Sequence, residues 1–136
     1  MISHVLDSFA LVAYVVRESA WESVRDLLLA AEAGQANLAM CTVSLGEVQY
    51  RLERLRGAEV ARRTVLLAQA LPIAVVPADW SLTSLAAELK AMIPVAYADC
   101  FAAALAITRE AEVVTGDPKF RLFGDRIKVR WLPLPS

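Results

Sequence analysis

Residues 93–120, IPVAYADCFAAALAITREAEVVTGDPKF, decide how the rest of the chain is arranged. Over residues 97–107 nearly every position is apolar or small, with five alanines, so a helix there is hydrophobic all round and buried close to a neighbouring backbone. Asp99 lies in its first turn. After the polar turn Thr108, Arg109, Glu110, the run Glu112, Val113, Val114, Thr115 has the composition and length of a strand and stops at Gly116-Asp117-Pro118. A helix leading into a short apolar strand is half of a βαβ unit. In that unit helix and strand run antiparallel, so the helix start and the strand's carboxyl end share one edge, and Asp99 and Asp117 become neighbours.

Working outward from this unit, residues 2–6 read as a first strand, with Asp7-Ser8 opening a helical run to Val16. A second helix from about Ser19 repeats Trp21, Val24, Leu28 and Ala31 and stops at Gly34. Residues 37–40 form a short strand. Leu45, Val48, Leu52 and Leu55 then make one helix face that ends near Gly57, with Glu47 in the first turn. A helix over 58–71 pairs with it as a hairpin, and Arg51, Arg54, Arg56, Arg62 and Arg63 make this the most basic region. A third strand spans 73–76, Asp79 caps the helix that carries Leu82, Leu85, Ala86 and Leu89, one helical turn is expected over 119–123, and a last strand over 127–132 precedes Pro133 and Pro135. Strands and helices alternate throughout. The fold class is α/β: one three-layer α/β/α domain over residues 1–136, built on a central parallel sheet of four or five strands.

Composition narrows the function. The 136 residues, 57% hydrophobic, suffice for one sizeable core. No stretch approaches the roughly 20 apolar residues of a membrane span, and the amino-terminal run is broken by Asp7 and Ser8 without a basic leader, so a cytoplasmic protein is expected. Cys41 and Cys100 fit neither a disulfide framework nor a metal spacing and read as small core residues. A net charge of −1 excludes a simple basic nucleic-acid coat. It leaves nucleic acid open as a substrate, because with four of the 15 acids sequestered by metal ions the 14 Lys and Arg exceed the remaining acids by three.

Each acid has a plain explanation. Asp7 caps a helix, Asp99 complements a helix dipole, Ser44 and Glu47 match a capping box, and Asp117 before Pro118 is a turn residue. Geometry argues for more, since carboxyl ends of parallel strands and the starts of the helices that follow lie on one edge, where open α/β sheets place ligands. Carboxylates gathered there repel one another unless a cation neutralises them. Their hard oxygens suit Mg²⁺ or Mn²⁺, and without a His or Cys cluster zinc is not indicated. With a phosphodiester substrate this gives a nuclease that needs no catalytic His. Asp79 satisfies the same edge rule.

Leu6-Asp7-Ser8, Ser44-x-Gly46-Glu47, Tyr97-Ala98-Asp99 with its alanine-rich helix, and Thr115-Gly116-Asp117-Pro118-x-Phe120 resemble, in order and over essentially the whole chain, the acidic motifs of PIN domains. In length and detail the chain is most similar to VapC-type toxins of toxin–antitoxin systems. The resemblance implies a PIN-like fold and a ribonuclease that cleaves RNA with a metal-activated water. It makes Asp7, Glu47, Asp99 and Asp117 the catalytic and metal-binding acids, gives Ser8 and Thr115 supporting hydroxyls, and leaves Asp79 without a catalytic role. It also implies an antitoxin partner and a homodimer.

The remaining residues are weaker signals. Lys119, beside Asp117, is the best single candidate for a substrate phosphate, against the plainer reading of a solvated turn lysine. His4 lies within a strand and is expected to hold a local hydrogen bond. Trp21, Trp80 and Trp131 are too dispersed for a base-stacking platform and read as core or interface packing, and the arginines of 51–63 read as a solvated hairpin face, with contact to RNA phosphate or an acidic partner as the alternative. No Gly-rich phosphate loop is present. Two rival functions stand: an aspartyl-phosphate phosphotransferase using Asp7, disfavoured because no second acid lies two residues on, and a non-catalytic protein-interaction module whose acids are all caps.

Overall fold

The computed structural model describes residues 2–134; Pro135, expected to help end the fold, lies outside them. Five strands, β1 (Ile2–Leu6), β2 (Ala36–Cys41), β3 (Ala74–Val76), β4 (Glu112–Thr115) and β5 (Lys128–Trp131), form one sheet in the order β3-β2-β1-β4-β5. All four pairings are parallel. The helices are α1 (Ser8–Val16), α2 (Trp21–Glu32), α3 (Thr42–Arg56), α4 (Ala58–Ala70), α5 (Trp80–Met92) and α6 (Tyr97–Arg109).

Side chains of a strand alternate between its two faces, and here the alternation divides the core into two layers. Leu6, Leu38, Met40 and Val114 pack on one side with residues of α1, α2, α3 and α4. Their neighbours Val5, Ala39, Cys41 and Val113 pack on the other with α5 and α6. The strands covered on both faces, β1, β2 and β4, carry short apolar runs at their carboxyl halves, Val5-Leu6, residues 38–41 and Val113-Val114. The expected three-layer α/β/α arrangement is therefore present, with five parallel strands.

Helix α6 is buried without a break from Asp99 to Ala106. Its alanines let it lie close against the sheet, which brings its amino end to the strand ends. It continues through Thr108 and Arg109, where a polar turn was expected, and Glu110 ends it in a left-handed conformation (φ 52°). Between α3 and α4, Gly57 adopts φ 91°, which a side chain would strain. Past β4 the expected helical turn is a longer 3₁₀ segment, Pro118–Arg126, kinked at Gly124.

The apolar face expected of α3 is buried at Leu45, Val48 and Leu52, whereas Leu55 at its end is 62% exposed. Trp80 and Trp131 are exposed and so lie outside the core, with Arg121 5.2 Å from the centre of the Trp131 ring. Both cysteines are free and buried as expected, and burial pushes their thiols up. Among the described residues no helix is long and apolar enough to cross a membrane.

Candidate active site

In the order β3-β2-β1-β4-β5 the chain winds one way from β1 through β2 to β3 and then returns to the other side of β1. The connections that leave β1 and β4 diverge there, and ligands of open α/β sheets sit in the crevice so formed at the carboxyl ends. Asp7 follows β1 and caps α1; Asp117 follows β4 and caps the 3₁₀ segment. Asp99 occupies the first turn of α6, and Glu47 stands on α3, which follows β2 directly. Asp79 follows β3, the outer strand two places from the crevice, where it accepts the Leu82 N–H at 2.9 Å and is exposed. Strand order thus separates Asp79 from the other four.

Asp7 is 4% exposed. Its Oδ1 accepts the Ala10 N–H at 3.1 Å and its Oδ2 accepts the Thr115 hydroxyl at 2.7 Å. The same hydroxyl oxygen accepts the Asp117 N–H at 3.0 Å, so Thr115 ties β1's terminal acid to β4's. Burial pushes the Asp7 carboxyl up to about 7; the Thr115 and Ala10 hydrogen bonds work against that rise, and Asp99 and Glu47 add to it. Asp99, 9% exposed, is not the cap residue of its helix, a place taken by Ala96. Burial, then the charges of Glu47 and Asp117, raise its carboxyl to about 6, opposed by Lys119 and Arg51. Asp99 has no capping duty, and the helix dipole that it complements in the first turn of α6 does not require burial among other acids.

Glu47 departs from expectation. Helix α3 starts at Thr42 with Cys41 as its cap residue and has no acid in its first turn, so the Ser44–Glu47 capping box does not form. Glu47 Oε1 instead accepts the Ser8 hydroxyl from α1, and Oε2 accepts the Tyr50 hydroxyl at 3.1 Å. Ser8 and Thr115 therefore each hold one of the acids. Tyr50 was missed, although its place three residues after Glu47 on a helix puts the two side chains side by side. Arg51, one residue on, was grouped with a solvated face, yet its charge reaches Asp99. Half-buried Asp117 accepts the Lys119 N–H at 3.0 Å, and the exposed Lys119 side chain stands close enough to favour the ionised form of Asp99.

The four acids are electrostatic neighbours and not a closed cage: among the described residues no three His, Cys, Asp or Glu side chains converge to hold one ion between them. Their chemistry fits a divalent cation nonetheless. They offer hard oxygens, two are buried with raised pKa values, and two neutral hydroxyls orient them. A cavity of about 630 Å³ opens at the opposite edge of the sheet beside Ile2, Arg109, Glu112, Arg126 and Lys128. Its charges are of mixed sign and it holds none of the four acids, so it does not displace the crevice as the site. His4 is buried, with Nδ1 2.8 Å from Glu112 Oε1, the local partner expected of it; burial lowers its pKa and the Glu112 carboxylate works against that.

Gly116 sits between Thr115 and Asp117 against the Phe9 ring, and a Cβ there would lie 2.5 Å from a ring carbon. Gly116→Ala must push the ring, which is attached next to Ser8. We expect it to destabilise the fold by ~1–3 kcal/mol, as overpacking does, read as a lower urea midpoint.

Comparison with known proteins bears on these residues. A family model described as the PIN domain matches residues 4–125. No curated protein sequence matches significantly. Among solved structures, a chain of VapBC2 from Rickettsia felis, bound to a DNA fragment from its promoter, superposes with a TM-score of 0.74 at 18% identity, covering 97% of this chain and 100% of that one. VapC20 from Mycobacterium tuberculosis, described as a sarcin-ricin loop cleaving toxin, gives 0.71 at 16% identity over 89% and 95%. A chain of DNA-bound VapBC from Salmonella typhimurium gives 0.70 at 17% over 96% and 98%.

Proposed function

The chain belongs to the PIN-domain family, and from that premise we propose that it is a metal-dependent ribonuclease, the VapC-type toxin of a type II toxin–antitoxin pair, acting in the cytoplasm. The observation that carries this reading is Asp99, a buried carboxylate outside the cap position of its helix, held among Asp7, Glu47 and Asp117 with its pKa raised to about 6. A set of pure helix caps does not account for it, which argues against a non-catalytic interaction module. An aspartyl-phosphate route is disfavoured because Asp7 is buried and both its oxygens already accept hydrogen bonds.

Asp7, Glu47, Asp99 and Asp117 would hold Mg²⁺ or Mn²⁺. Such an ion, when bound, neutralises the acids and the phosphodiester and lowers the pKa of a water molecule. The chain's own part is orientation. Thr115 and the Ala10 N–H fix both oxygens of Asp7, and Ser8 holds Glu47. Lys119 and Arg51 supply positive charge beside Asp99, suited to an RNA phosphate. Similarity to chains of toxin–antitoxin complexes supports an antitoxin as partner, and the family resemblance supports a homodimer.

RNA cleavage by the purified protein tests the reading. Fragments are expected with Mn²⁺ or Mg²⁺, none in EDTA, and recovery when the metal is restored. Cutting that persists undiminished in EDTA, or is absent with either metal, overturns it.

A further inference from the structure

We propose that Tyr50 is a positioning residue, whose hydroxyl locks the Glu47 carboxylate in the plane it presents to the acidic crevice; this rests on the metal-dependent nuclease reading. Glu47 is half-buried and has three side-chain torsions to fix. The Ser8 hydroxyl reaches Oε1 only, and a carboxylate held by one oxygen still turns about that contact. The Tyr50 hydroxyl, 3.1 Å from Oε2, removes the remaining freedom. Two donors on opposite oxygens, one from α1 and one from the same face of α3, leave the group a single orientation. Tyr50 is itself steadied, because the Arg54 guanidinium lies 4.9 Å from its ring centre. Glu47, Tyr50 and Arg54 follow one another at helical spacing along α3, so the support is built from a single rigid element. Hydrogen-bond partners of metal-binding carboxylates orient them in this way, and losing one typically weakens metal binding ~10–100-fold.

The rival account takes Tyr50 as an exposed aromatic ring that touches RNA. Tyr50→Phe separates the two, because it keeps the ring and its contact with Arg54 and removes only the hydroxyl. The full-length variant and the parent are compared by Mn²⁺ calorimetry without RNA, by steady-state cleavage of one RNA substrate and by thermal melting. The expected result is Mn²⁺ affinity weaker by about tenfold and a lower kcat, with an unchanged KM for RNA and an unchanged melting temperature. Tyr50→Leu, which lacks ring and hydroxyl alike, is expected to match Tyr50→Phe in Mn²⁺ affinity. Equal Mn²⁺ affinity in parent and Tyr50→Phe overturns the proposal and leaves the nuclease reading intact, as does a rise in KM with kcat unchanged. A parent protein that takes up no Mn²⁺ overturns both.

Discussion

Asp99→Asn is expected to end RNA cleavage while leaving a protein at least as stable as the parent. The substitution keeps the side chain's shape and removes the charge that Glu47 and Asp117 oppose, in a residue that is not the cap of α6. With the carboxyl raised to about 6, an amide relieves a strain that the metal-free protein bears at neutral pH. A lost acidic metal ligand should cost more than the ~10–100-fold that follows loss of an outer hydrogen-bond partner, and expression of the variant should no longer arrest growth. Asp79→Asn is the matched control. It removes an exposed helix cap two strands from the crevice, so its cleavage rate should stay within about twofold of the parent's, as at sites of small effect. If the Asp99→Asn protein cuts RNA as fast as the parent, the assignment of the crevice is wrong.

The contrast between Asp99 and Asp79 also marks where the sequence stops being informative. Both are legible from local chemistry, Asp79 as a helix cap and Asp99 as an acid in the first turn of a helix, because helix starts depend on a few neighbouring residues. Which strand ends share a crevice depends on pairing between segments far apart in the chain. The placement of β1 between β2 and β4 is what leaves Asp79 on the outside. Glu47 shows the reverse error. The Ser44–Glu47 spacing is a genuine capping signal, but α3 starts at Thr42 directly off β2, so Glu47 falls beyond the first turn and turns to Ser8 and Tyr50. Periodicity likewise identified the face of α3 without showing how far the layer beneath it extends, and Leu55 lies past that limit. Tyr50 carries no acidic signal of its own, and only its place three residues after Glu47 on α3 marks it as a donor to that acid.

Stability should fall as pH rises through the range of Asp7 and Asp99, and a divalent cation should reverse the fall. Both carboxyls have folded-state pKa values above their ordinary 3.8, about 7 for Asp7 and about 6 for Asp99. Between the ordinary and the raised value the folded protein holds protons that the unfolded chain has released, so unfolding is favoured as pH increases. Their contribution is complete below the ordinary value and lost as pH passes the raised ones. One pKa unit corresponds to about 1.4 kcal/mol, so the two rises together bound the effect at several kcal/mol. For a domain of this size that is several degrees in Tm. Mn²⁺ competes with those protons: at pH 5, where the acids are largely protonated, it should shift Tm little, and at pH 8 it should raise Tm by several degrees. Asp7→Asn should lose most of the Mn²⁺ shift, because the amide keeps an oxygen for the Ala10 N–H but sets an NH₂ where Oδ2 accepts the Thr115 hydroxyl and carries no charge for the cation to neutralise. A Mn²⁺ shift of equal size at pH 5 and pH 8, retained in Asp7→Asn, would place the cation away from these carboxylates. The raised pKa values would then reflect burial alone, and the crevice would have lost its physical reason for gathering acids.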